Sequence, residues 1–256
     1  KLRAVHRLRE GGRRVPRLLV RLLAGLFAAL AMQVAHALPQ GLQVQAGTVT
    51  VQRPDGSSMV LNQGTNKAIL DWQSFSIGAG QSVRFLQPGA GSVALNRVLG
   101  GDVSSIFGSL SANGQIFLVN PAGVLFAPGA QVNVGGLVAS TLNMSNADFL
   151  AGRYTFSGGS GASVVNDGAL KAGYVVLGGA QVANNGTIEV ANGGSVGLLA
   201  GSRITVDPSG EGLVKFSVDA AAINAAASNT GTITAHGGQV AMPACAVGDT
   251  LPTVVN

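Results

Sequence analysis

The 256-residue chain has one cysteine, one tryptophan and two tyrosines, and only 11% of its residues are charged. A single Cys excludes a disulfide framework and any site built from several thiolates, so the fold must hold without covalent staples. Low charge together with 46% hydrophobic residues excludes disorder. The scarcity of Lys and Glu argues against a helix bundle, whereas 38 glycines point to a chain full of tight turns. Phosphate-binding signatures are missing as well. There is no Gly-Lys dipeptide, hence no P-loop, and no Gly cluster completes the dinucleotide fingerprint.

The formal charge of +5 belongs to the first 37 residues. That segment holds eight of the 16 basic residues against one acid, Glu10, for a net +7; the remainder has eight basic and ten acidic residues, or −2. The body of the chain therefore lacks the basic footprint of a nucleic-acid binder. The basic stretch runs into an apolar segment from Leu22 to Met32 and then Ala35-His36-Ala37, the layout of a secretory signal with small residues at the cleavage site. The apolar run is too short to span a bilayer. We expect 1–37 to be a signal peptide handled by the Sec machinery and signal peptidase, cleavage between Ala37 and Leu38, and 38–256 to form one domain. The chain opens on Lys1 and ends on Asn256, which follows Val254 and Val255 as Asn166 follows Val164 and Val165. We therefore expect it to be cut from a longer protein.

After Leu38 the apolar residues come in short bursts punctuated by Gly, Asn, Asp or Pro, which predicts strands. Examples are 47–52, 82–86, 115–119, 124–126, 174–177, 195–199, 203–206 and 213–218; 142–150 and 218–226 read as short helical turns. The bursts repeat. Asn184-Asn185-Gly186-Thr187-Ile188 matches Asn229-Thr230-Gly231-Thr232-Ile233 and, more loosely, Asn166-Asp167-Gly168-Ala169-Leu170. Further on, Gly193-Gly194-Ser195-Val196 matches Gly237-Gly238-Gln239-Val240. The spacings are 18 residues from Gly168 to Gly186 and 45 from Gly186 to Gly231. Units this short cannot bury their own apolar residues, but coils stacked about 4.8 Å apart can. The pattern predicts a parallel β-helix of about ten coils and about 50 Å, at roughly 20 residues per coil. Asn and Gly are expected at the corners because they tolerate left-handed backbone. An antiparallel sandwich is the competing architecture, but it gives no reason for Asn-x-Gly-Thr-Ile to recur.

Residues 96 to 143 carry Asn96-Arg97-Val98, Ser105-Ile106-Phe107-Gly108-Ser109-Leu110 and an unbroken stretch from Asn113-Gly114 through Asn120-Pro121-Ala122-Gly123 to Asn143. With Leu38-Pro39 and Asp71-Trp72-Gln73-Ser74-Phe75-Ser76-Ile77-Gly78, this resembles the secretion domain of the two-partner secretion family, the filamentous haemagglutinin and high-molecular-weight adhesin group of Gram-negative bacteria. The resemblance implies a right-handed single-stranded parallel β-helix with an N-terminal cap and small extra-helical hairpins. It also implies a secretion-targeting module of a large surface adhesin, recognised by a cognate outer-membrane β-barrel transporter with POTRA domains. The expected location is secreted or on the cell surface, reached through the periplasm, with host receptors or glycans engaged by downstream regions. The residues implied for transporter recognition are Asn96, Arg97, Asn113, Gly114, Asn120, Pro121, Ala122 and Gly123. The family's turn is Asn-Pro-Asn-Gly, and Ala122 is the departure. A type II turn wants Gly or Asn at that position, whereas type I accepts Ala, so a type I turn is predicted from Asn120 to Gly123.

Catalytic chemistry finds little footing. The acids after the leader are scattered and most sit in turn-like sequence; Asp207 with Glu211 is the nearest approach to an acid–base pair. The one His after the leader, His236, reads as a solvent-side strand residue, and Cys245 as a small buried filler. We expect no enzyme, cofactor or metal site. The alternatives are a carbohydrate-active β-helix enzyme using Asp207 and Glu211, and a structural surface spacer. Two sequons, at Asn143 and Asn185, are read as coincidental.

Overall fold

Strands form where short runs of Val, Ile, Leu, Phe and Thr meet glycine or asparagine, and each run lies in register on the one a coil before it. The computed structural model describes residues 38–159, 161–208, 214–220, 222 and 224–244. The leader with Ala37, Glu211, Cys245 and Asn256 lie outside the described residues.

Three sheets build the solenoid. The first runs Gln43–Ala46, Lys67–Trp72, Val93–Val98, Gln115–Val119, Gly136–Ser140, Val175–Gly179, Ser195–Ala200 and Gln239–Ala241. The second runs Ser104–Ile106, Val124–Phe126, Ser163–Asn166, Gln181–Asn184 and Ala226–Asn229. The third runs Val49–Asp55, Ser58–Gln63, Ser82–Leu86, Ser109–Ala112, Gln131–Asn133, Ala169–Ala172, Thr187–Val190 and Thr232–Ala235. Pairing is parallel from coil to coil. The exceptions are Gln43–Ala46 and Val49–Asp55, which pair antiparallel with the first coil and cap it. Arg53 and Pro54 stand on that cap edge, where charge and a missing N–H discourage further pairing. The chain is therefore a parallel β-helix, and the antiparallel sandwich is excluded.

The third sheet keeps seven strands once its antiparallel cap strand is set aside, so there are seven coils among the described residues rather than ten. At about 4.8 Å per step they span about 30 Å, not 50. Part of the shortfall lies in the cap and part in two excursions, between Ser140 and Ser163 and between Ala200 and Ala226, whose described strands leave the solenoid and pair with each other. Tyr154–Ser157, Arg203–Asp207 and Lys215–Ala220 form an antiparallel three-stranded sheet. The 45-residue spacing is thus one coil carrying an excursion, since Asn184 pairs directly with Asn229. A helix, Asn146–Ala151, falls within the first expected helical turn and runs one residue past it. The second expectation, 218–226, fails over 218–220: Lys215–Ala220 is a strand with alternating exposure, because its ladder to Arg203–Asp207 decides its conformation.

Two cores result. Inside the solenoid, residues at matching positions stack: Met59, Val83, Leu110, Val132, Leu170 and Ile188 lie in register and are buried. Each contributes about 1.5–3 kcal/mol. Outside it, the outer face of the first sheet, with Ile69, Leu95, Phe117, Val119 and Val138, packs under the extra-helical sheet and the helix. That is why Gly136–Ser140, Val175–Gly179 and Ser195–Ala200 are buried at every residue while third-sheet strands such as Thr187–Val190 alternate.

The repeated Asn residues have another job than the one expected of them. Among the described residues only Asn224 is a non-glycine with positive φ. Asn166, Asn184 and Asn229 instead form an amide ladder, Asn166 Nδ2 donating to Asn184 Oδ1 and Asn184 Nδ2 to Asn229 Oδ1, each at 2.7 Å. Asn184→Ala leaves the buried Asn166 amide with only a long 3.5 Å bond to Thr187 O and removes the partner of Asn229 Oδ1, and we expect a loss of about 2 kcal/mol in urea unfolding. A change below about 0.5 kcal/mol, the surface-substitution range, would contradict the ladder's role.

Candidate functional site

The Asn-Pro-Ala-Gly segment turns the chain from the first sheet into the second. Asn120 N–H still belongs to the first sheet and donates to Ser140 O at 2.9 Å. Its carbonyl accepts from Gly123 N–H at 3.0 Å, closing a four-residue turn. Ala122 is not among the positive-φ residues, so the turn is type I as predicted; Gly123, with φ +123°, supplies the left-handed step after it. The Asn120 side chain is completely buried. Its Oδ1 accepts from Ala122 N–H at 2.9 Å, while Nδ2 donates to Asp102 O and Ser104 Oγ, both at 2.9 Å. The loop around Asp102 is thereby tied to the turn. Only the backbone of residue 122 takes part, which is why Ala serves there.

Asn96 and Arg97 sit one coil earlier at the same end of the first sheet, Arg97 opposite Val119. Asn96 is also fully buried, its Oδ1 accepting from Trp72 Nε1 at 3.0 Å. Trp72 in turn meets Phe75 edge to face, with ring centroids 5.4 Å apart. Arg97 points out of the sheet and grips both carboxylate oxygens of Asp71, at 2.8 and 3.0 Å. Its Nη1 reaches on to Asn146 Oδ1 at 2.9 Å and Met144 O at 3.4 Å. Asp71 stands in the quoted sequence motif, but only the coil register reveals it as the partner of Arg97.

Asn113 and Gly114 lie elsewhere, at the corner between the third and first sheets. The exposed Asn113 amide imitates a strand: Oδ1 accepts from Gln87 N–H at 2.7 Å and Nδ2 donates to Gln87 O at 2.8 Å. Gly114 is glycine because a Cβ there would lie 2.6 Å from Ser92 O. The residues implied for recognition thus divide between two corners. Asn96, Arg97 and 120–123 share the first-to-second corner, and Asn113 with Gly114 occupies the third-to-first.

Ionisable groups are dispersed. Asp71, Asp148 and Glu189 pair with Arg97, Arg153 and Lys171. The Asp148 carboxyl is held below the usual carboxylate value by the Ser145 hydroxyl and then by Arg153. Burial pushes the Tyr154 phenol up. No group of three or more His, Cys, Asp or Glu that could hold a metal occurs among the described residues. Asp207 ends the strand Arg203–Asp207. His236 is exposed, but in the turn after Thr232–Ala235 rather than in a strand, its carbonyl accepting from Gly193 N–H at 2.8 Å.

Residues 35–255 match the TPS secretion domain family model. A heme/hemopexin-binding protein of Haemophilus influenzae is 37% identical over 211 residues, 78% of this chain and 23% of that protein. A second Haemophilus influenzae protein of the same description is 42% identical over 119 residues, 46% of this chain and 13% of its own length. The chain thus spans less than a quarter of the length of these curated relatives. Among solved structures, the HMW1 secretion domain from Haemophilus influenzae superposes with a TM-score of 0.71 at 36% identity, covering 80% of this chain and 55% of that one. Matched nearly end to end by the family model, and by a solved relative's fold, the chain belongs to the TPS secretion domain family of two-partner secretion proteins.

Proposed function

We propose that this domain is the export address of a large surface protein of a Gram-negative bacterium. A cognate outer-membrane β-barrel transporter reads it through periplasmic POTRA domains, and it coils into its β-helix outside the cell. The observation that carries this reading is the family match over residues 35–255. In this reading 1–37 is a signal peptide removed after Ala37 by signal peptidase once the Sec machinery has delivered the chain. The domain itself catalyses nothing, and adhesion or ligand capture, such as the heme/hemopexin binding named for the relatives, belongs to regions beyond it.

The burial of Asn96 and Asn120 supports recognition before folding. A folded coil presents neither side chain to a partner, whereas an extended chain presents both and can add as a strand to a sheet edge of the transporter. Co-expression with and without the transporter tests the reading. Extracellular yield should depend on the transporter and on its POTRA domains. Asn120→Ile and Asn113→Ile should stop release while periplasmic synthesis continues. Equal release without the transporter, or normal release of both variants, would refute it.

A further inference from the structure

We infer that residues 143–157 form a latch, held by two cations from the first coils and along one edge by the strand ladder to Arg203–Asp207, that can lift off the solenoid and close again as a unit. The segment is pinched at its base, where Asn143 N–H donates to Ser157 O at 3.0 Å and Ser157 N–H to Asn143 O at 2.8 Å. Between these points lie the helix Asn146–Ala151 and the strand Tyr154–Ser157. Ser145 caps the helix, accepting from Asp148 N–H at 3.0 Å, and Gly152 ends it with φ +77°.

The tip is fixed from outside. Lys67 Nζ donates to Phe149 O at 3.1 Å and Leu150 O at 2.9 Å, carbonyls at the negative end of the helix. The same ammonium lies 6.0 Å from the Phe149 ring centroid and 5.8 Å from that of Tyr154. On the other flank Arg97, anchored by Asp71, donates to Asn146 Oδ1 and Met144 O. Neither cation is supplied by the segment it holds: Lys67 lies 82 residues before Phe149, and Arg97 lies 47 before Met144.

What lies beneath is a separate apolar core. Phe149, Tyr154 and Phe156 pack on Phe117 from outside the first sheet, with centroid distances of 6.2, 4.9 and 6.0 Å. None of these rings belongs to the interior stack. Lifting the segment breaks its ladder to Arg203–Asp207 and uncovers the part of the outer face around Phe117, without disturbing the residues that hold the coils together. Because the holding residues precede the held ones by so far, the latch closes only after several coils are laid down. Closure converts an apolar sheet face into core.

The chain carries its own reporter. Arg153 is the only Lys or Arg between Arg97 and Lys171, and the Tyr154 that follows it is buried in the strand. Arg153 is itself exposed, but a protease such as trypsin needs the residues on both sides of the bond extended, so cleavage there reports release of Tyr154 from its strand. Lys67→Met removes one hold, and Asn146→Ala removes a contact of the other while leaving Arg97 on Asp71. Each should speed cleavage of the folded chain after Arg153 by about tenfold, since loss of a hydrogen bond to a charged group raises the open population by that order. Cleavage after Lys171, on the third sheet, should not change. Hydrogen exchange should show the same pattern, with protection lost over 146–157 and kept in the first sheet. Unchanged cleavage after Arg153 would overturn the inference. Equal acceleration at Lys171 would overturn it too, because the cations would then be holding the whole solenoid.

Discussion

Asn120→Asp should lower the unfolding free energy by about 3–5 kcal/mol at neutral pH, the range for a buried charge left without compensation. The two groups differ by one substitution of NH2 for O, yet they are opposites here. Asn120 Nδ2 donates to Asp102 O and Ser104 Oγ. A carboxylate would set a second acceptor against that carbonyl, and among the described residues none of the groups bonded to Asn120 is a cation. Burial raises the pKa of the introduced carboxyl in the folded state above its unfolded value of about 3.9. The folded state then binds the proton more readily than the unfolded one. The penalty is therefore smallest below the unfolded pKa, grows as pH rises through the raised folded pKa, and is constant above it. Asn120→Ala, which removes donor and acceptor together, should cost about 2–3 kcal/mol with no such pH dependence. Urea unfolding at several pH values separates the two. Equal stabilities of the Asp variant at low and neutral pH would show that the site is wetter than its geometry implies.

Much of the fold was legible because the coil repeat writes itself into the sequence. Ser82–Leu86, Gln115–Val119 and Val124–Phe126 form at the bounds their apolar bursts predict. The aligned Asn residues 166, 184 and 229 are coil neighbours, as are Val196 and Val240. The number of coils was not legible, since residues that leave the solenoid carry the same strand-like alternation as those that stay. The covered face of the first sheet was hidden for a related reason: an unbroken apolar run such as Val175–Gly179 does not say whether both sides are buried or what buries them. At the candidate site, the resemblance marked Asn120, and turn chemistry then gave its type I turn. The grip of Arg97 on Asp71 could not be read, because 26 residues separate them and only the register of adjacent coils brings them together. The expectation of left-handed glycine holds at only some corners, as at Gly193 and Gly237 with φ +77° and +65°. Gly168, Gly186 and Gly231, like Gly114, Gly135, Gly173, Gly194 and Gly238, have no positive φ. They are corner residues through close approach of backbone to backbone, not through left-handed turns.

That distinction gives the second large expected effect. A Cβ on Gly186 would lie 2.2 Å from Gly168 O, and one on Gly231 would lie 2.1 Å from Gly186 O. The obstacles are backbone atoms held by their own ladder: Thr187 N–H donates to Gly168 O at 2.8 Å and Thr232 N–H to Gly186 O at 2.9 Å. A single methyl group must therefore push two coils apart at a corner where the Asn amide ladder also runs. Gly186→Ala should cost about 3 kcal/mol, the upper end for overpacking, because no side chain is available to move aside. Two other glycines separate the causes. Gly193 has open space for a Cβ but φ +77°, so Gly193→Ala should cost about 1–2 kcal/mol through backbone strain alone. Gly89 has neither a close neighbour nor a positive φ, and Gly89→Ala should be neutral or stabilise by about 0.4–1 kcal/mol through the unfolded chain. Thermal unfolding of the three variants should rank Gly89→Ala above Gly193→Ala above Gly186→Ala. If Gly186→Ala were instead the mildest, coil spacing at this corner would be adjustable, and the repeated glycine would need a different explanation from the tightness of the stack.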